Sequence, residues 1–313
     1  MNKKSISKYI LILLLVLSFS LTACTASDNK KESKAKKQVT VTTSFLYDMV
    51  DVLAGDLVDK VLIMPAGEDP HLYILKPKDT EKITEADLLL YHGLHFEGKM
   101  VEILEKYGVA VSTDFPQEKI GEMDEDGAIV VDPHFWFDIS LYRIACEKAA
   151  SSLSELLPDE SKKIQENLAN YLEELDKLDQ YIKDQIAKIP EENRYLVTPH
   201  DAYNYFSRAY NIEVVAPQGI STDSEVANSD LDASANFIVE HKIPAIFAES
   251  TTDPARMEKL KELCTSKGFE VKVVSGDDAE LFSDSLAPEG QKGDNYLDMY
   301  KHNVDLIVEN LLK

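Results

Sequence analysis

Between Glu160 and Ile189 the chain reads ESKKIQENLANYLEELDKLDQYIKDQIAKI, without Gly or Pro, and it is bounded by Pro158 and Pro190. Ile164, Leu168, Tyr171, Leu172, Leu175, Leu178, Ile182 and Ile186 recur three and four apart, which places one apolar face on one long helix. Asp159 stands where a cap belongs. At about 1.5 Å per residue the helix would run roughly 45 Å, enough to lie along two lobes of structure, and the sequence on either side of it has the same character.

Before the helix, the apolar pattern predicts strands at Val39 to Thr43, Val58 to Met64, Leu88 to Tyr91 and Val109 to Ser112. Helical patterns stand between them at Phe45 to Leu53, Asp79 to Glu85 and Glu97 to Tyr107, with a further helix from Asp138 to Leu157. After it, strands at Tyr195 to Thr198, Ile212 to Ala216, Ala245 to Ala248 and Phe269 to Val274 alternate with helices at Ala202 to Tyr210, Ser229 to His241, Pro254 to Lys267 and Tyr296 to Leu312. Such alternation implies parallel sheets covered by helices. The expected fold is α/β, with two lobes, each a parallel β-sheet flanked by helices, joined by one long rigid backbone helix. The expected boundaries are residues 39–158, 159–190 and 191–313.

The amino terminus is of a different kind. Lys3, Lys4 and Lys8 precede an apolar run from Tyr9 to Leu17, the layout of a secretory signal peptide over residues 1–23. The run is too short to span about 30 Å of hydrocarbon as a permanent helix. Leu21-Thr22-Ala23-Cys24 resembles a bacterial lipobox, which makes Cys24 the expected lipidation site. Residues 24–38 are rich in Lys, Ser and Ala and are expected to form a flexible tether. The remaining thiols, Cys146 and Cys264, fall in helical patterns without metal-motif spacing and are expected to be buried and unpaired, although an exported setting permits a disulfide.

The first 38 residues contribute +6, so of the chain's net charge of −23 the remainder carries −29. An acidic body of that kind repels a phosphate backbone and argues against nucleic-acid binding. It suits a cationic partner, and serves equally as a solubilising surface.

Three of the seven histidines directly follow a proline where a predicted strand runs out: His71 in Asp69-Pro70-His71, His134 in Asp132-Pro133-His134 and His200 in Thr198-Pro199-His200. Ligands of open α/β sheets bind beyond the carboxyl ends of the strands, and imidazole is a common ligand for zinc. A tetrahedral shell needs a fourth donor. The candidates are Asp294, ahead of the last helix and equally suited to cap it, and Glu249 at the end of the strand Ile246-Phe247-Ala248, equally suited to an ion pair. The chain has no Gly-x-Ser-x-Gly, His-Glu-x-x-His, phosphate-loop or Gly-x-Gly-x-x-Gly motif. A metallohydrolase would need an open coordination position and a general base, for which Glu249 is the nominee.

Several segments carry a resemblance: Asp69-Pro70-His71-Leu72-Tyr73, Gly93-Leu94-His95-Phe96-Glu97, Asp132 through Asp138, His200 through Tyr210, Gly219-Ile220-Ser221-Thr222, Phe247-Ala248-Glu249-Ser250 and Gly293-Asp294-Asn295-Tyr296. With these the chain, from Val39 to Lys313, resembles the TroA-type zinc and manganese substrate-binding proteins of ABC transporters. The resemblance implies no catalytic activity. It implies metal ligands His71, His134, His200 and Asp294, two from each lobe, with Glu249 beside them as a supporting residue and His92, His95, His241 and His302 in structural or surface roles. It further implies a monomeric capture protein, lipid-anchored on the outer face of the cytoplasmic membrane, that passes its ion to a permease driven by an ATPase. Three imidazoles favour zinc, because manganese-selective relatives typically carry Glu where His200 stands. The stretch from Glu118 to Gly127 is acidic but lacks the histidines common in zinc-dedicated relatives, which keeps manganese open, and iron(II) with it. Surface adhesion and metal-dependent hydrolysis remain the alternative functions.

Overall fold

The central strand of the first sheet is β1 (Lys37–Val41), whose Val39 and Val41 are completely buried. It pairs in parallel with β2 (Val58–Leu62) on one side and β3 (Leu88–Tyr91) on the other, and β4 (Val109–Ala110) extends the sheet in the order β2-β1-β3-β4. The crossovers run through α1 (Ser44–Ala54), α2 (Pro77–Thr84) and α3 (Val101–Tyr107). Thr43, the residue after β1 and Thr42, caps α1 by accepting from the Leu46 N–H. The computed structural model describes residues 35–125, 128–223, 225–276 and 278–312, and Lys37–Lys313 form one compact unit. The signal peptide and the lipidation site Cys24 lie outside the described residues. Lys37 and Gln38, expected in the tether, instead begin β1, where the Gln38 N–H donates to the Asp87 carboxylate at 2.8 Å.

A hairpin follows that sequence patterning did not suggest: β5 (Gly121–Glu125) pairs antiparallel with β6 (Ala128–Asp132). Gly-Glu-Met-Asp-Glu carries no alternation of apolar residues, so only the pairing itself defines β5. Helix α4 (Ile139–Leu156) comes next, capped by Asp138, whose carboxylate accepts from the Ser140 N–H at 2.8 Å.

The long helix is α5 (Ser161–Ile186), and its buried positions are Ile164, Leu168, Tyr171, Leu175, Leu178, Ile182 and Ile186, with Leu172 packed at the margin. At about 1.5 Å per residue it runs roughly 39 Å. Asp159 does not cap it. Pro158–Glu160 forms a 3-10 turn that leads into the helix, and no side chain caps its start. The apolar face of α5 packs on α1 and α4 from the first half of the chain and on α9 (Tyr296–Leu311), the last helix. One apolar cluster therefore passes from Val39 and Phe45 through Trp136 and the α5 face to Phe206, Tyr296 and Tyr300.

In the second half, β7 (Tyr195–Val197) pairs in parallel with β8 (Glu213–Val215), β9 (Ala245–Phe247) pairs in parallel with β10 (Lys272–Val274), and β7 lies beside β9. Helices α6 (Asn204–Tyr210), α7 (Asn228–His241) and α8 (Ala255–Ser266) connect them. Val197, Ile246, Met257, Leu260 and Cys264 form a second apolar cluster there. Cys146 sits in the first cluster and Cys264 in the second, both buried and unpaired. Among the described residues no helix is long and apolar enough to cross a membrane.

Candidate metal centre

Each site histidine is set by its own tripeptide. Proline has no N–H, so in Asp-Pro-His the aspartate can fold back on the next free donor two residues along. Asp69 Oδ1 accepts from the His71 N–H at 2.9 Å, and Asp132 Oδ1 from the His134 N–H at 3.0 Å. In Thr198-Pro199-His200 the direction is reversed, and the Thr198 hydroxyl donates to the His200 carbonyl at 2.9 Å. These turns follow β2, β6 and β7 and bring the three imidazoles together, with ring centroids 5.4 Å (His71–His134), 5.5 Å (His134–His200) and 6.1 Å (His71–His200) apart.

The fourth member of the cluster is Asp284, not Asp294. His71, His134, His200 and Asp284 each offer a donor atom, and these atoms all lie within 4.8 Å of one another. His71 is 5% exposed and the other three are fully buried. Asp284 belongs to a segment after β10 that has no regular structure but is pinned on several sides. The Trp136 indole donates to the Ser283 carbonyl at 2.9 Å, the Ser44 hydroxyl accepts from the Leu286 N–H at 2.9 Å, and Asn303 bonds both the N–H and the carbonyl of Phe282. Asp294 is elsewhere. Its carboxylate accepts from the Gly290 N–H at 2.8 Å and from the Asn295 amide, and it lines a surface cavity of about 650 Å³ with Asp48, Asp51, Lys60 and Glu289. The cap of α9 is Asn295, whose side chain accepts from the Asp298 N–H at 3.0 Å. Sequence reasoning passed over Asp284 because Leu281-Phe282-Ser283-Asp284-Ser285-Leu286 lies far from any strand end or helix start. The available signal was an acid flanked by two serines inside an apolar stretch, where a solvated loop would carry more polar residues.

Two carboxylates orient the imidazoles. His134 Nδ1 donates to Asp132 Oδ1 at 2.7 Å and His200 Nδ1 donates to Glu249 Oε2 at 2.5 Å, which directs both Nε2 atoms inward. Glu249 is thus a buried neighbour that holds His200 from behind. His134 Nε2 and His200 Nε2 approach Asp284 at 3.4 and 3.2 Å without hydrogen-bond alignment. The Nε2 atoms of all three histidines and both Asp284 oxygens are buried with no hydrogen-bond partner; the charge attraction between Asp284 and two imidazoles compensates part of that cost, and a cation held among them would supply the rest. Of the other histidines, His92 and His302 are buried with a hydrogen bond each, to Thr43 Oγ1 and to the Glu280 carbonyl, while His95 is exposed and His241 stacks on Phe237.

Burial pushes the His134 imidazolium down, but Asp132 and Asp284 outweigh it and hold the group up at about 9. His200 is likewise raised, against burial, by Glu249 and Asp284, and the two imidazoliums keep Asp284 well below the usual carboxylate range. His71 goes the other way, to about 3, driven by burial and by its two cationic neighbours against the pull of Asp284. A raised His stabilises the metal-free fold fully below its unfolded value near 6.5 and ceases to do so as pH rises through about 9. A metal ion held by this cluster would have to displace that proton, so its binding would have the opposite dependence. Affinity for a divalent ion at this cluster is expected to climb between pH 6.5 and 9 while the melting temperature of the metal-free protein falls. Titration calorimetry in buffers of different ionisation enthalpy should register proton release at neutral pH, and pH-independent affinity over that range would contradict this protonation pattern.

Residues 39–310 match the family described as zinc-uptake complex component A, periplasmic. The chain belongs to that family. The zinc-binding protein TroA of Treponema pallidum is 38% identical over 301 residues, covering 94% of this chain and 95% of TroA, and its solved structure superposes with a TM-score of 0.84 over 89% of this chain and 100% of that one. The manganese-binding lipoprotein MntA of Bacillus subtilis is 34% identical over 302 residues, covering 95% and 97% of the two chains. A TroA structure determined in a study of metal-binding specificity is 57% identical with a TM-score of 0.88, covering 88% of this chain and all of that one. The α/β architecture with parallel sheets flanked by helices, including the long helix α5, is thus the architecture of TroA-type proteins. Within the zinc-uptake family this chain is a substrate-binding protein of a metal ABC transporter and not an enzyme.

Proposed function

We propose that this protein captures a zinc or manganese ion with His71, His134, His200 and Asp284 and delivers it to an ABC permease and its ATPase. The observation that carries the reading is the buried tetrad whose donor atoms lie within 4.8 Å of one another and lack other partners. Ligands about 2.1 Å from a tetrahedral ion stand roughly 3.4 Å apart, close to the 3.2 and 3.4 Å already separating Asp284 from two imidazoles. Three nitrogens and one oxygen favour zinc over manganese. Residues 39–158 and 191–313 act as lobes that contribute two ligands each, with residues 159–190 as the stiff link between them. The relatives named as lipoproteins, MntA and the pneumococcal PsaA, support an anchor at Cys24 on the outer face of the membrane, and a tethered monomer suffices for capture. A closed four-donor shell leaves no position for a hydrolytic water, which disfavours a metallohydrolase.

The test is calorimetric titration of the metal-stripped protein with zinc, manganese and iron(II), alongside a His200→Glu variant. Glu249 would face a second buried carboxylate in that variant, so it is combined with Glu249→Gln. The wild type is expected to bind one ion tightly with zinc preferred, and the double variant to lower the zinc-to-manganese affinity ratio at least about tenfold by exchanging a nitrogen donor for a harder oxygen. Affinity no better than micromolar for every ion would defeat the transport reading.

A further inference from the structure

We infer that the turn from Gly93 to Gly98 is a positioning element for His71, bracing that ligand's backbone against the sheet and thereby setting how tightly the site holds its ion. The inference rests on the metal site proposed above and deepens it.

The turn has an uncommon conformation. Gly93 and Gly98 have φ of 84° and 45°, and between them Leu94 and His95, neither a glycine, also have positive φ, 55° and 64°. Consecutive L-residues in the left-handed region cost free energy and persist only where the surroundings over-determine them. Here the surroundings are Glu97. Its buried carboxylate accepts from the Thr42 hydroxyl at 2.9 Å, the His92 N–H at 2.6 Å and the Gly93 N–H at 3.3 Å. Within the turn the Phe96 and Gly98 N–H groups donate to the Gly93 and His95 carbonyls. Thr42 directly follows the central strand β1, so the turn is fastened to the most buried part of the first sheet.

From that anchor the turn reaches His71 in two ways. The Phe96 ring meets the His71 ring edge-on at 5.2 Å and also lies 6.0 Å from the His134 ring. At Gly98 the backbones touch. A Cβ built there would stand 2.5 Å from the His71 carbonyl oxygen and 3.2 Å from its carbonyl carbon. The obstructing atoms are backbone, so a side chain at this position must push the Gly98 and His71 backbones apart. His71 needs such a brace because the chain from Ile63 to Lys76 that carries it has neither strand nor helix. The Glu97 carboxylate bonds Thr42, His92 and Gly93 and Gly98 has no side chain, so both act on the site through His71 and are positioning residues.

The experiment is a double-mutant cycle on metal-stripped protein, with zinc affinity measured by chelator competition for wild type, Gly98→Ala, His71→Ala and the double variant, and the melting temperature of each recorded. Gly98→Ala is expected to weaken zinc at least about tenfold in the wild-type background and by less than about twofold once His71 is already alanine. Unchanged affinity in Gly98→Ala, or an equal loss in both backgrounds, would overturn the inference. If Gly98→Ala does not fold, Phe96→Leu replaces it in the same cycle, with an expected loss of about threefold that likewise vanishes without His71. A wild type that binds neither zinc nor manganese would sink the site itself, whereas a wild type that binds and a Gly98→Ala that binds equally well would sink the turn's role alone.

Discussion

Asp284→Asn is expected to weaken zinc binding by more than about 100-fold, equivalent to more than about 2.7 kcal/mol, while Asp294→Asn leaves it within about twofold. Losing a residue that merely supports a ligand costs about 10- to 100-fold, and Asp284 would be the ligand itself. It is the only anionic member of the tetrad, and it faces two imidazole Nε2 atoms at 3.2 and 3.4 Å. An asparagine there would leave the four proposed donors without a charged oxygen, and Asp132 and Glu249 are already committed to the Nδ1 atoms. Asp294, by contrast, bonds the backbone of Gly290 beside a different cavity. Chelator competition at neutral pH distinguishes the two variants directly. If Asp294→Asn lost the metal and Asp284→Asn kept it, the ligand set would have to be reassigned.

Glu97→Ala is expected to destabilise the metal-free protein by about 3–5 kcal/mol, the second large effect. The truncation strands the Thr42 hydroxyl and the His92 and Gly93 N–H groups in the interior, where each was satisfied by one carboxylate. It also leaves a cavity beside Phe96, which is completely buried. For a unit of this size the loss corresponds to a fall of about 5–9 °C in melting temperature. Glu97→Gln should be much milder, because burial has already pushed the Glu97 carboxyl up to about 7, against the pull of its donors, so the native environment barely demands a charge. The comparison must be made without metal, since bound ion adds stability by mass action. An alanine variant that melts within about 2 °C of the wild type would show that water replaces the carboxylate, and the account of the turn would need revision.

The long helix and the three histidines were legible because their signals are local. A face repeating every three to four residues over Ile164 to Ile186 can be buried in only one way, and the observed buried positions are those of the repeat. Asp-Pro-His closes on itself through the Asp69 and Asp132 carboxylates, whatever surrounds it. The limits of local reasoning appear at the same scale. Asp159 has the chemistry of a cap, yet the helix enters through a 3-10 turn and does not use it.

The fourth member of the tetrad, the hairpin and the strained turn were decided only by tertiary structure. Asp294 sits ahead of a helix and has the look of a functional acid, but Asn295 does the capping and Asp294 faces another cavity. Asp284 reaches the imidazoles because Trp136, Ser44 and Asn303, distant in sequence, hold its irregular segment by hydrogen bonds. Strand β5 exists because β6 pairs with it, and the left-handed Leu94 and His95 lie in a turn that Glu97 closes by bonding the His92 and Gly93 N–H groups. By itself the sequence determined the parts whose free energy comes from neighbours along the chain: the helix faces, the proline-locked turns and the strands with apolar runs. Where a residue's conformation is stabilised by partners distant in the chain, its own neighbourhood carries no periodicity to read, and the folded protein alone assigns its place.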